Sequence, residues 1–247
     1  MSGSKSIQYP GPTGPYKVTQ KNGAAWKGAE EVRLQISIGN PGTEGDKFYA
    51  LCEWAAARFP RVVLVVSDTL QRYNVMFETL ADHERALAVS RQSGDDWLAR
   101  SSAAIDLLDS KALVMRWEEV RLTQETAEAE TRLRDLYECD DGFKTAIDET
   151  VQAFATRGER DLGSDRSIYE THSKAFLLEE LAVFSWLCMR AGVDSYAGSW
   201  MQGVFNALRA HEGSFFDAYR KDWVQVDFTR NKAYLGPSFG GALEMAA

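Results

Sequence analysis

Two short runs set the pattern of this chain. In "VRLQISI" (32–38) apolar Val32, Leu34, Ile36 and Ile38 include an alternating stretch with Arg33, Gln35 and Ser37 between them, while "RVVLVVSD" (61–68) is apolar without a break. The second pattern is that of a strand buried on both faces of a parallel sheet. Residues 44–58 between them carry apolar positions at helical spacing, so 32–68 reads as a strand–helix–strand unit with a right-handed crossover. A helical region over 69–108 leads to a third strand, "ALVMRW" (112–117). Arg121, Glu125, Glu128, Arg132 and Asp135 recur at three- and four-residue spacing over a charged helix at 118–138. Further helices are expected at 141–157, after which the turn "RGERDLGSD" leads to a long helix at 165–191, ended by Gly192. "VDSYAG" (193–198) reads as a short strand, 199–210 as a helix, and "WVQVDF" in the tail as a small edge strand. The sum is an α/β fold: a mostly parallel sheet flanked by helices.

The first 28 residues hold three of the six prolines and read as an irregular arm anchored by Trp26. The rest, 29–247, shows no internal linker, repeat or low-complexity tract and is expected to form a single domain. The whole chain's 45% hydrophobic and 26% charged content is that of an ordinary soluble globular protein. Cys52, Cys139 and Cys188 form no CxxC pair, so neither a disulfide framework nor a metal site is expected. No apolar run reaches the roughly 18 to 20 residues of a membrane span, and the N-terminus lacks the apolar stretch of a signal peptide. A cytoplasmic protein is expected, monomeric, with a dimer as the alternative. The net charge of −8 argues against non-specific binding to a polyanion, although a local basic patch could still act.

Two polar residues stand out against the apolar pattern. Ser37 lies where the first strand breaks into "GNPGTEG", at the carboxyl end of a strand, where ligands dock in open α/β sheets. Glu180 lies in "AFLLEELAVF", an apolar helix in which a carboxylate needs a cation or a hydrogen-bond donor. Each also has a plainer reading. Ser37 could cap its loop, Glu180 could pair with Arg190, and Tyr196 could be a core tyrosine.

Together "ISIGNPGTEGDKF", "WAAARFPRVVLVVSDTLQRYN" and "AFLLEELAVF" resemble the tRNA-dependent cyclodipeptide synthases over about residues 30–210. The resemblance implies a Rossmann-like fold similar to the catalytic domain of class I tyrosyl- and tryptophanyl-tRNA synthetases, with two aminoacyl-tRNAs as substrates and no cofactor. No phosphate-binding GxxxxGK[ST] loop and neither the HIGH nor the KMSKS signature is present, in line with chemistry that uses no ATP. It further implies that Ser37 is acylated by the first aminoacyl group, that Glu180 holds its ammonium, and that Tyr196 moves protons when the dipeptide closes into a 2,5-diketopiperazine. Asn40 corresponds to a loop asparagine of one branch of that family.

The chain departs from the family pattern at several places. Gln35 stands where a glycine is usual, Phe176 replaces a tyrosine four positions before the glutamate, and Ala197 follows Tyr196 in place of histidine or proline. His172, eight residues before Glu180, could substitute for the missing phenol. Arg33 and Gln35 share a strand face with Ser37, so a polar or anionic first substrate side chain is expected. For tRNA the candidate cations are Arg85, Arg91, Arg100, Arg116 and Arg121. Two other readings compete. One is a serine hydrolase using Ser37 with His172 as base, against which the missing GxSxG elbow counts; the other is a tRNA-binding module without catalysis.

Overall fold

A computed structural model describes residues 13–21, 26, 28–157, 165–197, 201–221, 223–236 and 238. Six strands form the sheet: β1 (Tyr16–Gln20), β2 (Glu31–Ile36), β3 (Arg61–Val66), β4 (Ala112–Arg116), β5 (Val193–Tyr196) and β6 (Val224–Arg230). The helices are α1 (Gly45–Ala56), α2 (Arg72–Thr79), α3 (His83–Arg100), α4 (Ser102–Ile105), α5 (Trp117–Arg121), α6 (Gln124–Cys139), α7 (Asp141–Arg157), α8 (Arg166–Cys188), α9 (Gln202–Arg209) and α10 (Ser214–Asp217). The sheet order is β1-β6-β5-β2-β3-β4, and every pairing is parallel except that of β1 with β6. This is the Rossmann-like, mostly parallel architecture expected.

Chain direction across the sheet reverses at β2. The chain runs outward through β3 and β4, then returns to place β5 on the other side of β2. That reversal lies at the carboxyl ends of β2 and β5, the place where doubly wound sheets form the crevice that takes their ligands.

Alternation along the strands divides the core. Val32, Leu34, Ile36, Val62, Leu64 and Val66 pack with Phe48, Trp54 and Trp97 of α1 and α3. Val63 and Val65 face the opposite way, into a cluster built on Leu177, Leu181 and Phe184 of α8 and on residues of α6, α7 and α9. Arg33 and Gln35 share that second face, as the two-residue period requires.

The structure revises the sequence reading in four places. The first 28 residues are not all irregular, because Tyr16–Gln20 pairs antiparallel with β6 from Tyr16↔Arg230 to Gln20↔Val226. The prolines suggested otherwise, but the unpaired backbone groups of β6 recruit this segment as a strand. By the same token β6 is not an edge strand; β1 covers it. The helical region 69–108 is broken at Leu80, whose φ of 52° lies in the left-handed region, and again at Ser101. The charged helix at 118–138 is two helices, with Thr123 capping the second by accepting a hydrogen bond from the Thr126 amide. Trp26 rests edge-on against Phe59, with ring centroids 5.8 Å apart. Residues 158–164, the body of the turn before α8, lie outside the described residues, as do residues 198–200.

Gly192 ends the α8 segment with φ of 101°, and a Cβ there would come within 3.1 Å of the Glu31 carbonyl oxygen. Gly94 is tighter still. A methyl group on it would meet Arg116 Nη2 at 2.6 Å and Asp68 Oδ2 at 2.7 Å, so α3 can approach the Asp68–Arg116 ion pair only with glycine here. Gly94→Ala should therefore lower unfolding free energy by about 1–3 kcal/mol, despite alanine's better helix propensity. Urea denaturation of the two proteins checks this, and an unchanged or raised midpoint would show the contact to be soft.

Candidate active site

The loop that follows β2 is closed by its own polar atoms. Thr43 Oγ1 donates to the Ser37 carbonyl at 2.7 Å and approaches the Asn40 carbonyl at 3.1 Å. Asn40 Oδ1 accepts from the Gly42 amide at 2.8 Å, capping a single 3-10 turn at Pro41–Thr43, and Asn40 Nδ2 donates to the Ala197 carbonyl at 3.1 Å. That last bond spans the crevice and ties the β2 loop to the end of β5. The capping work open to Ser37 is thus done by Thr43 and Asn40. The Ser37 hydroxyl makes no hydrogen bond to any described residue, and it is half-buried rather than sealed.

Tyr196 closes β5 in register with Gln35 and joins the core cluster on the α8 side of the sheet. Ser37, two residues beyond Gln35, continues that side. The structure therefore places Ser37 and Tyr196 on adjacent strand ends at the topological reversal, on the sheet face that α8 covers.

On α8, two consecutive carboxylates have opposite fates. Glu179 is buried and fully paired: Arg72 Nη1 donates to its Oε1 at 2.9 Å, Arg72 Nη2 bonds Oε2, Trp117 Nε1 donates at 2.9 Å, and the Tyr73 hydroxyl at 3.1 Å. Arg72 and Tyr73 belong to "SDTLQRYN", so the segment after β3 is locked to α8 by this pair. Glu180 is rotated by one helical step, about 100°. It has no ion pair or hydrogen bond among the described residues, and desolvation pushes its carboxyl up to about 8. Arg190, the cation open to it from sequence, instead stacks on Trp186 at 3.2 Å and reaches Glu125 at 3.8 Å. Sequence reasoning missed Glu179. Its signal was the doubled glutamate, in which only one can face a given neighbour.

Phe176, one turn before Glu180, packs edge-on against Tyr73 with centroids 6.5 Å apart. Tyr73 thus brings a phenol next to the position where Phe176 lacks one, but that hydroxyl is held by Glu179, and burial pushes its pKa up to about 12. His172 is half-buried, and burial lowers its pKa, favouring neutral imidazole. No hydrogen bond joins it to Ser37.

Arg33 differs from expectation. Its Nε and Nη2 donate to the two oxygens of Asp194 at 2.8 Å each, and Nη1 donates to the Ala191 carbonyl at 2.7 Å. Its charge is neutralised inside the protein, as a strut between β2 and β5, so an anionic substrate side chain finds no free cation in it. Gln35 Nε2 joins the same carboxylate at 3.2 Å, and Gln35 Oε1 is buried without a partner. The hydrogen-bonding atom left over at this position is an acceptor.

The arginines considered for tRNA are mostly committed as well. Arg91 and Arg121 both meet Glu118, Arg100 meets Glu44 at 2.9 Å, and Arg116 bridges Asp68 and Asp95. Arg85 is exposed on α3 and makes no ion pair among the described residues. Arg121–Glu118 is a three-residue pair within α5, but the partners of Arg91, Arg100 and Arg116 come from other elements, which spacing along one helix could not reveal. Among the described residues, no group of three or more His, Cys, Asp or Glu side chains is placed to hold a metal ion, and no helix is long and apolar enough to cross a membrane.

No protein-family model matches the chain, and no curated protein sequence does. Solved structures do. A cyclodipeptide synthase from Fluoribacter dumoffii superposes with a TM-score of 0.77 at 19% identity, over 87% of this chain and 100% of that one. One from Candidatus Glomeribacter gigasporarum, bound to Phe-tRNAPhe, gives 0.64 at 16% identity, over 88% and 93%. A Mycobacterium tuberculosis protein gives 0.65 at 14% identity, over 94% and 100%; its structure is described as demonstrating that cyclodipeptide synthetases are related to type I tRNA synthetases.

The raised pKa of Glu180 has a consequence for stability. An unfolded glutamate titrates near 4.5, and the folded one near 8, so between those values the native state holds a proton that the unfolded state releases. Stability falls as pH rises through this window, and the full penalty is present above about 8. Glu180→Gln removes it. The variant should melt higher than the parent at about pH 9, by roughly 5 to 10 °C, and nearly with it at about pH 5. Thermal melts at the two pH values test the claim; equal differences at both would mean that Glu180 has an ordinary pKa. With 87–94% of its residues superposed on these structures at TM-scores of 0.64–0.77, the chain has the fold of the cyclodipeptide synthases.

Proposed function

We propose that this chain is a tRNA-dependent cyclodipeptide synthase acting through an aminoacyl-serine intermediate on Ser37. The observation that carries the proposal is the contrast in polar pairing. The buried charges of Arg33, Arg72, Glu179 and Asp194 are all matched, whereas a hydroxyl at the strand reversal and a carboxylate on the helix covering the same sheet face have no partner among the described residues. An aminoacyl ester supplies the electrophile for one and the amine for the other.

The steps follow from these groups. Ser37 Oγ attacks the ester carbonyl of the first aminoacyl-tRNA, the bond to the ribose oxygen breaks, and the serine proton ends on the released ribose hydroxyl. Glu180 meets the α-amino group. A neutral amine takes the proton that Glu180 carries at neutral pH, giving the same ammonium–carboxylate pair that an incoming ammonium forms by displacing that proton. The pair fixes the reacting carbonyl at the serine, which is where most of the rate gain in such a reaction arises. The amine of a second aminoacyl-tRNA then attacks the acyl-enzyme and frees Ser37. In the last step the first residue's amine, returned to its neutral form, attacks the second ester and closes the ring. Tyr196 is assigned to proton movement in this closure. For the tRNA itself, Arg85 is the one candidate arginine that can meet a phosphate without giving up a carboxylate.

Purified chain mixed with charged tRNAs should release 2,5-diketopiperazine, detected by mass spectrometry. Ser37→Ala should abolish the product, and Glu180→Gln should lower its rate by at least 10²-fold. Free amino acid as the sole product would point instead to a hydrolase, and tRNA binding without either product to a module that does no chemistry.

A further inference from the structure

The glycine loop after Ser37 spends its backbone donors on itself. The Asn40 amide donates to the Ser37 carbonyl, the Thr43 amide to the Asn40 carbonyl, the Gly42 amide to Asn40 Oδ1, and the Gly39 amide to Glu44 Oε1. Acyl transfer at Ser37 builds negative charge on the former carbonyl oxygen, and a donor has to meet it. Four of the nearest N–H groups are unavailable for that work.

A side chain on the neighbouring strand is free. The β2–β3 register runs in parallel to Ile36↔Val66, and the Ser67 amide donates to the Ile36 carbonyl at 2.8 Å, which carries the ladder one residue further. Ser67 therefore lies beside Ser37, at the strand spacing of about 4.8 Å. Val63 and Val65 face α8, so Ser67, next in the alternation, faces the same side as Ser37. It is only 6% exposed, yet its hydroxyl makes no hydrogen bond to any described residue. Thr69, two residues on, also has an unpartnered hydroxyl, but that oxygen is fully enclosed, whereas the Ser67 oxygen is not.

We propose that Ser67 is a further catalytic residue: its hydroxyl donates a hydrogen bond to the carbonyl oxygen of the aminoacyl group as Ser37 is acylated and again as it is released. In each step the carbonyl electron pair moves onto that oxygen and returns as the leaving oxygen departs, while Ser67 keeps its proton. This role rests on the acyl-enzyme reading above. A merely structural serine would behave otherwise, because a buried hydroxyl without a partner costs stability rather than adding it.

The test is single-turnover acylation of the full chain by charged tRNA, followed by intact-mass spectrometry, with tRNA affinity and melting temperature measured beside it. Ser67→Ala should slow acylation by about 10²-fold with tRNA affinity unchanged and melting temperature equal or higher. Ser67→Thr, which keeps a hydroxyl, should retain most of the rate. Acylation of Ser67→Ala within about twofold of the parent rate overturns the role, as does equal slowing of the alanine and threonine variants. Absence of any adduct on the parent chain, with Ser37→Ala as the control, overturns the acyl-enzyme reading itself and the role of Ser67 with it.

Discussion

The buried ion pair of Arg72 with Glu179 is the constraint on which the arrangement of the site depends. A carboxylate and a guanidinium taken out of water are costly, and their attraction repays the cost only when the remaining donors and acceptors are filled. Here they are. Trp117 and Tyr73 complete Glu179, and the Thr69 carbonyl takes one guanidinium N–H at 2.7 Å. Removing one partner of such a pair typically costs about 3–5 kcal/mol, so rotation of α8 about its axis is strongly resisted. Because Glu179 is fixed on one side of the helix, Glu180 is held about 100° away from it. A structural carboxylate thereby orients the one proposed to hold the substrate ammonium.

A similar device acts across the reversal point of the sheet. Asp194 receives both arms of Arg33 and the amide of Gln35, which joins β5 to β2 beneath the crevice, and the Asn40–Ala197 bond joins their ends above it. These polar ties lie in a region where parallel pairing is short: β5 contributes four residues. Four residues of ladder give little register specificity on their own. A bidentate guanidinium–carboxylate contact permits one register, and that register sets Tyr196 level with Gln35, two residues short of Ser37.

How much of this was legible in the sequence varies with the kind of interaction. Periodicity located β2, β3, α1 and α7 closely, because the apolar pattern follows from burial and burial repeats with the backbone. It missed β1, because five residues of alternating half-buried pattern at a sheet edge carry too little apolar signal beside a proline-rich context. Ser37 and Glu180 were visible as polar residues in apolar settings. Arg33 was visible in the same way and misled, since a polar residue on a pocket-side strand looks alike whether its partner is a ligand or Asp194, 161 residues away. Arg91, Arg100 and Arg116 failed for the same reason: their carboxylates, Glu118, Glu44 and Asp68, arrive through the fold. Pairing between distant segments is what the sequence pattern does not encode.

This distinction is also what separates scaffold from chemistry in the finished structure. A folded chain gains stability by satisfying each buried polar group, and groups left unsatisfied cost free energy that selection for folding alone would remove. Burial pushes the Glu180 carboxyl up to about 8, with no cation among the described residues to offset it, although its neighbour Glu179 shows that the same helix can be given one. Gln35 keeps an idle acceptor while its amide nitrogen is engaged, Ser37 carries a hydroxyl that Thr43 and Asn40 have excused from loop closure, and the Ser67 hydroxyl has no partner among the described residues. Other buried polar atoms without a described partner lie elsewhere, among them those of Ser90, Arg121 and Trp186. Four groups nevertheless fall together: Ser37 and Ser67 follow adjacent strands, Gln35 precedes Ser37 by two residues on the same face, and Glu180 lies on the helix covering that face. A site that completes its hydrogen bonds only when an amino ester enters accounts for both the identity of the groups and their placement, at a standing cost to stability that Glu180 makes measurable.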